Sequence, residues 1–211
     1  MNVTKLASLA AAAAIVLSAA PAAAQLDATN APRSRGPVTL EDKDCKRDVQ
    51  RAPGGAVMAR FALCRWFYRF KPERETNENR DFGAFWIQAS VDAENGWCTR
   101  WTKADMKLPD KFGMLAPKLG TERRGPQRFT TKLVVDASGD TERPARLQQT
   151  FKVFPGKMRA FKPSKDVYRL RWDGATKRKL AYAYGIEVSY PDGGNPSVVT
   201  PSILALFRRG C

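Results

Sequence analysis

The stretch VMARFALCRWFYRFK, residues 57–71, decides the fold class of this 211-residue chain. Aromatic and basic side chains alternate along it, and a period of two belongs to a β-strand. Cys64, Trp66, Tyr68 and Phe70 fall on one face; Arg65, Phe67, Arg69 and Lys71 fall on the other. Working outward, the same period returns in FGAFWIQASVD (82–92), where Phe85, Ile87, Ala89 and Val91 share a face, and in WCTRWTK (97–103) after the turn at 93–96. It continues in RFTTKLVVD (128–136), ARLQQTFKVF (145–154), DVYRLRW (166–172), KLAYAYGIEVSY (179–190) and SVVTPSILALF (197–207). In the segment 166–172 the alternation sends Tyr168, Leu170 and Trp172 inward and Arg169 and Arg171 outward. Pro201 marks the last segment as an edge or bulged strand.

About eight strands separated by Gly, Pro, Asn and Asp turns, with no long helical period, predict an all-β chain. Short antiparallel strands with polar outer faces must pack a second sheet, so the expected architecture is an antiparallel β-sandwich. Residues 25–44 read as a flexible leader, and Thr39 with Asp42 at capping-box spacing suggests a short helix or turn before Cys45. Residues 45–211 read as the sandwich domain. The segment 106–127, rich in Pro and Gly and without a period, reads as a long irregular connection and a possible subdomain boundary.

The final segments, YAYGIEVSYPDGG (182–194) and SILALF (202–207), resemble the last hairpin of an immunoglobulin-like or fibronectin-like domain, with Tyr182 or Tyr184 near a corner-tyrosine position. The resemblance covers this C-terminal part alone. It implies architecture and carries no function.

The N-terminal run MNVTKLASLAAAAAIVLSAAPAAAQ has a weakly positive start, an apolar run and small residues at Ala22 and Ala24. That is the pattern of a signal peptide spanning residues 1–24, cleaved before Gln25. No cysteine follows the apolar run to take a lipid anchor, and nothing after Gln25 is long and apolar enough to form an integral membrane span. The expected location is therefore exported, periplasmic or extracellular, in a bacterial style of leader.

Four cysteines in an exported chain predict two disulfides. If the strands near 60–71, 82–91 and 97–102 form a simple meander, Cys64 and Cys98 lie two strand spacings apart, roughly 9–10 Å. A bridge needs Cα atoms within about 7 Å. That geometry favours Cys45–Cys64 with Cys98–Cys211, while a sandwich setting the first and third strands face to face leaves Cys64–Cys98 open.

The chain carries 36 Lys and Arg against 21 Asp and Glu, a formal charge of +15, and no histidine. The charge favours an anionic partner: an envelope polymer or an acidic protein surface. The absence of histidine removes Ser-His-Asp and Cys-His catalysis and His-ligated zinc. It leaves chemistry by two carboxylates or by Ser-Lys pairs. No metal-ligand spacing and no cofactor motif is present.

Candidate binding residues are Arg65, Phe67, Arg69 and Lys71, which could form a cationic ladder with a stacking face. An ordinary amphipathic strand accounts for the same alternation. Arg123 and Arg124, with Lys111 and Lys118, could form a mobile basic loop. Trp86, Trp97 and Trp101 could meet sugar faces or fill the core. Asp92 with Glu94, or Glu187, offer carboxylates without a decisive spacing, and PDGGN (191–195) reads as a hairpin turn rather than a calcium loop. The expectation is a non-catalytic binding protein. The alternatives are a small carbohydrate-active hydrolase using two carboxylates and a subunit of an envelope assembly that pairs through strand edges.

Overall fold

The computed structural model describes residues 31–36, 38–70, 79–114, 119–124, 128–135, 145–152 and 156–211. The expected signal segment, Lys71 and Lys118 lie outside them. Thirteen strands and one short 3-10 turn are present among the described residues: β1 (Arg33–Arg35), β2 (Val38–Arg51), β3 (Val57–Phe70), β4 (Arg80–Ala93), β5 (Trp97–Lys107), β6 (Gly113–Met114), β7 (Leu119–Arg124), β8 (Arg128–Val135), β9 (Ala145–Lys152), β10 (Gly156–Ser164), β11 (Val167–Thr176), β12 (Leu180–Pro191), the turn Pro196–Val198, and β13 (Thr200–Arg209).

All pairings are antiparallel and form three sheets. The central sheet runs β2-β3-β4-β12-β6, a platform sheet runs β10-β11-β5-β13, and a third runs β1-β9-β8-β7. The packed antiparallel sheets bear out the expected all-β sandwich. Strands β3 and β4 are buried on both faces along most of their length. Tyr182 and Tyr184 of β12 face the platform sheet, where the Tyr182 hydroxyl reaches Thr102 Oγ1 at 2.9 Å and the Tyr184 ring meets Tyr168 at 5.5 Å. On the opposite face Trp86 Nε1 donates to Gln149 Oε1 at 3.0 Å, and Gln149 Nε2 donates to Gln88 Oε1 at 3.1 Å, joining β4 to the third sheet. Burial on two sides is why Phe67, on the nominally polar face of its strand, is fully enclosed by Phe85 and Tyr190.

Several expectations need correction. The leader ends earlier, because residues 38–44 belong to β2 and are extended, so Thr39 and Asp42 start no helix. Segment 106–127 contains the end of β5 and two strands, β6 and β7. The final segments form no hairpin: β12 pairs with β4 and β6, while β13 crosses to the platform sheet and pairs with β5. As Pro201 predicts, β13 is an edge strand; its ladder with β5 shifts register between Leu206 and Phe207, where Arg100 of β5 is the extra residue.

The disulfides are Cys45–Cys64 and Cys98–Cys211, with Cα atoms 4.1 Å and 5.6 Å apart. The favoured pairing holds although its premise does not. The three strands are no meander, because β5 leaves the central sheet; Cys64 instead faces Cys45 directly across the β2–β3 ladder. Cys98–Cys211 closes a sequence separation of 113 residues, which contributes about 4–5 kcal/mol in the chain-entropy description.

Arg65 is a buried charge, only 3% exposed. Its Nη1 donates to the carbonyls of Ser197 at 2.8 Å, Pro196 at 3.3 Å and Val199, and its Nη2 pairs with the Asp42 carboxylate. One guanidinium thus ties β2, β3 and the connection into β13 together. Removing one partner of a buried pair leaves the others uncompensated. Arg65→Ala is expected to lower unfolding free energy by about 3–5 kcal/mol, read as a fall in the urea midpoint. Arg65→Lys should recover only part of that loss, since an ammonium lacks the planar fork. An unchanged midpoint in Arg65→Ala would overturn this role.

Candidate anion-binding face

The outer face of the platform sheet presents three cross-strand rows, each set by the registers β10–β11, β11–β5 and β5–β13. The first row is Arg159, Arg171, Lys103, Leu204; the second is Phe161, Arg169, Asp105, Ser202; the third is Lys157, Asp173, Trp101, Leu206. Each position follows from alternation in its own strand, with Met158, Leu170, Ala104 and Ile203 turned inward between them.

Three cations side by side in the first row repel one another. Two carboxylates in the flanking rows offset this. Arg171 donates to both Asp173 oxygens at 2.6–2.9 Å, and Arg159 Nη2 reaches Asp173 at 3.2 Å. Arg169 makes a fork on Asp105 at 2.6 and 2.7 Å, with Lys103 Nζ at 3.9 Å. The Arg171 hydrogen bonds hold the Asp173 carboxyl below its usual range, and the carboxylate partners hold Arg169 and Arg171 above theirs. Arg171 also lies 5.1 Å from the Trp101 ring centroid and Arg169 5.8 Å from that of Phe161. Lys157 has no ion-pair partner among the described residues. The face therefore keeps cations in excess of carboxylates, flat aromatic edges beside them, and two exposed leucines at its β13 margin, Leu204 at 53% and Leu206 at 49%.

The residues singled out from sequence are scattered. Arg65 and Phe67 are buried, and Arg69 is held by Asp81 at 2.8 Å and Glu41 at 3.7 Å. At Arg65 and Phe67 the expected ladder is therefore no open surface, because both faces of β3 are buried there; Lys71 lies outside the described residues. Arg123 and Arg124 lie on β7, in register with Phe129 and Arg128, rather than in an irregular loop. Lys111 sits in an exposed turn whose carbonyl accepts from Arg80. Trp86 is core, Trp97 packs at the sandwich end under Arg209 at 5.5 Å, and Trp101 alone of the three belongs to the outer face. In the turn 191–195, Asn195 Oδ1 accepts from the Ser197 amide at 2.9 Å, so it caps the 3-10 turn.

Asp92 and Glu94 are neighbours at the end of β4. Arg60 Nε donates to Glu94 Oε1 at 2.5 Å. Burial pushes the Asp92 carboxyl above its usual range, with Glu94 adding to the rise and Lys179 and Arg60 opposing it. Glu187 lies on β12 opposite Ala84, away from both.

Lys103, Lys157, Arg159, Leu204 and Leu206 were not picked out from sequence. Their local signal is the alternation of WTKAD and GKMRAF, but it becomes a surface only once β10, β11, β5 and β13 are known to be neighbours. No protein-family profile matches the chain, and no curated protein matches it.

The raised Asp92 has a direct consequence. A carboxyl whose folded pKa lies above its unfolded value destabilises the fold when ionised, and the penalty vanishes below the unfolded pKa. Asp92→Asn is therefore expected to raise the melting temperature at neutral pH and to melt with the wild type below about pH 4. A pH series of thermal melts checks both limbs; a neutral-pH destabilisation would contradict it.

Proposed function

We propose that this chain is an exported, non-catalytic binding protein that holds an anionic partner on the outer face of the platform sheet. The observation carrying this reading is the row Arg159–Arg171–Lys103 with Trp101 and Phe161 beside it. Asp105 and Asp173 hold Arg169 and Arg171 in place, while Arg159, with one nitrogen on Asp173, and Lys157 keep donors for carboxylate, sulfate or phosphate. A preformed strand surface loses little entropy on binding. The overall charge of +15 adds long-range attraction. The signal-like pattern of residues 1–24 and the two disulfides fit an oxidising, extracytoplasmic setting. Among the described residues no helix is long and apolar enough to cross a membrane.

A hydrolase needs two carboxylates facing across a substrate. Asp92 and Glu94 stand on one strand end, and Arg60 already occupies Glu94. The binding reading is therefore better supported.

The test is elution from an immobilised sulfated polysaccharide between about 0.15 M and 0.5 M salt, over which screening shortens from about 8 Å toward a few ångströms. The triple variant Lys103→Gln, Lys157→Gln, Arg159→Gln should elute at clearly lower salt than a control replacing Arg33, Arg47 and Arg146, which lie off this face. Equal elution of the two variants would mean that net charge, and not this face, retains the protein.

A further inference from the structure

The sandwich has free strand edges, and they are not alike. An open edge pairs with another chain unless charge, proline, bulges or shortness discourage it. β2, at the edge of the central sheet, carries Glu41, Asp42, Lys43, Asp44, Lys46, Arg47 and Asp48 and two register shifts. β10, at one edge of the platform sheet, carries Lys157, Arg159, Lys162, Pro163 and a register shift. β1 and β6 are 3 and 2 residues long, and β7, at the other edge of the third sheet, spans 6 residues and carries Glu122, Arg123 and Arg124. β13 is different. It spans 10 residues, has β5 as its one strand partner among the described residues, and runs from Ser202 to Phe207 without a charge.

We propose that the free edge of β13 takes an extended acidic polypeptide segment, which adds to the platform sheet as a further strand. The direction of the backbone is consistent with this. Leu204 turns its carbonyl toward β5, where Thr102 Oγ1 donates to it at 3.1 Å. Amide and carbonyl of one strand residue point the same way, and alternate residues point oppositely. Ile203 and Ala205 therefore direct their backbone groups away from β5, as Pro201 does, the usual placement of proline in an edge strand. Pro201 offers no N–H, so pairing runs from Ser202 toward Arg209.

The side chains define the occupant's chemistry. Residues of the added strand on the outer face meet Leu204 and Leu206, which favour apolar contacts. Arg208 and Arg209 stand exposed at the far end of β13, and Lys103 and Arg171 lie one and two strands inward. β13 carries no acidic residue, so a segment that sets apolar side chains against Leu204 and Leu206 and carries acidic ones at the end beside Arg208 and Arg209 matches it in both respects, whereas a second copy of β13 supplies no carboxylate to that end. The inference rests on the anion-binding reading for the acidic half of that chemistry and on the open edge for the rest.

The probe is a labelled peptide of about eight residues that alternates Val and Thr and begins with Glu residues, which an antiparallel strand sets beside Arg208 and Arg209, titrated into the disulfide-bonded protein. Its twin carries N-methyl groups on alternate amides, which blocks edge pairing and leaves charge and side chains intact. The expected result is saturable binding of the parent peptide, weakened about tenfold or more by N-methylation, and weakened similarly by Ala205→Pro, which removes a free-edge donor. Ala205→Pro should keep its retention on the polysaccharide. Equal binding of parent and N-methylated peptide would overturn the edge inference and leave the face as the site. Absence of peptide binding with polysaccharide retention intact would overturn it in favour of a polymer partner. A wild-type dimer made monomeric by Ala205→Pro would identify a second copy as the occupant and overturn it too. Loss of polysaccharide retention in the face variant and its off-face control alike would sink the anion-binding reading separately.

Discussion

The structure depends on one enclosed guanidinium. Arg65 rises from the middle of β3, a strand buried along most of its length, and finds its partners in backbone carbonyls 196, 197 and 199 and in Asp42. A charge this deep is tolerable only with hydrogen bonds around it. The residues it gathers are far apart in sequence: an edge strand near the N-terminus and the crossover that delivers β13 to another sheet. Asn195 assists by capping the turn whose carbonyls Arg65 reads. The position of β13 against β5, and so the margin of the outer face, follows from this contact.

A second constraint is that the central sheet has no solvent face over β3 and β4. One side packs tyrosines and phenylalanines against the platform sheet; the other sends Trp86 and Gln88 toward Gln149. Gly83 is part of the same packing, since a Cβ there would come within 2.5 Å of the Phe67 ring. With the middle layer closed, polar function is displaced to the outer layers. The platform sheet meets the core with Leu170 and Trp172 and shows Arg169 and Arg171 to solvent.

Alternation alone made much of this legible. Residues 166–172 point as their period says, and Pro201 does mark an edge. Cys45–Cys64 and Cys98–Cys211 were favoured on a meander that does not exist, so the pairing was right for a different reason. What failed was the assumption that each strand has one wet face. Arg65 and Phe67 look like surface in the string and are interior in the fold, because periodicity reports two faces without saying what covers either. The outer face was hidden for a related reason: Lys103 and Arg171 are adjacent only through sheet order, a long-range property that no local pattern carries. The charged strand β2 was obscured because edge protection fills it with Asp, Lys and Arg, which reads as leader.

The two fastenings of β13 have a mechanical consequence. Its entry is gripped through the Val199 carbonyl by Arg65, and its exit is bonded covalently through Cys98–Cys211. A strand held at one end peels, breaking its ladder one bond at a time. A strand held at both ends can only be sheared, and its whole ladder with β5 then bears the load together. Tension applied along β13 would therefore be spread over the sheet and passed through the disulfide to the start of β5.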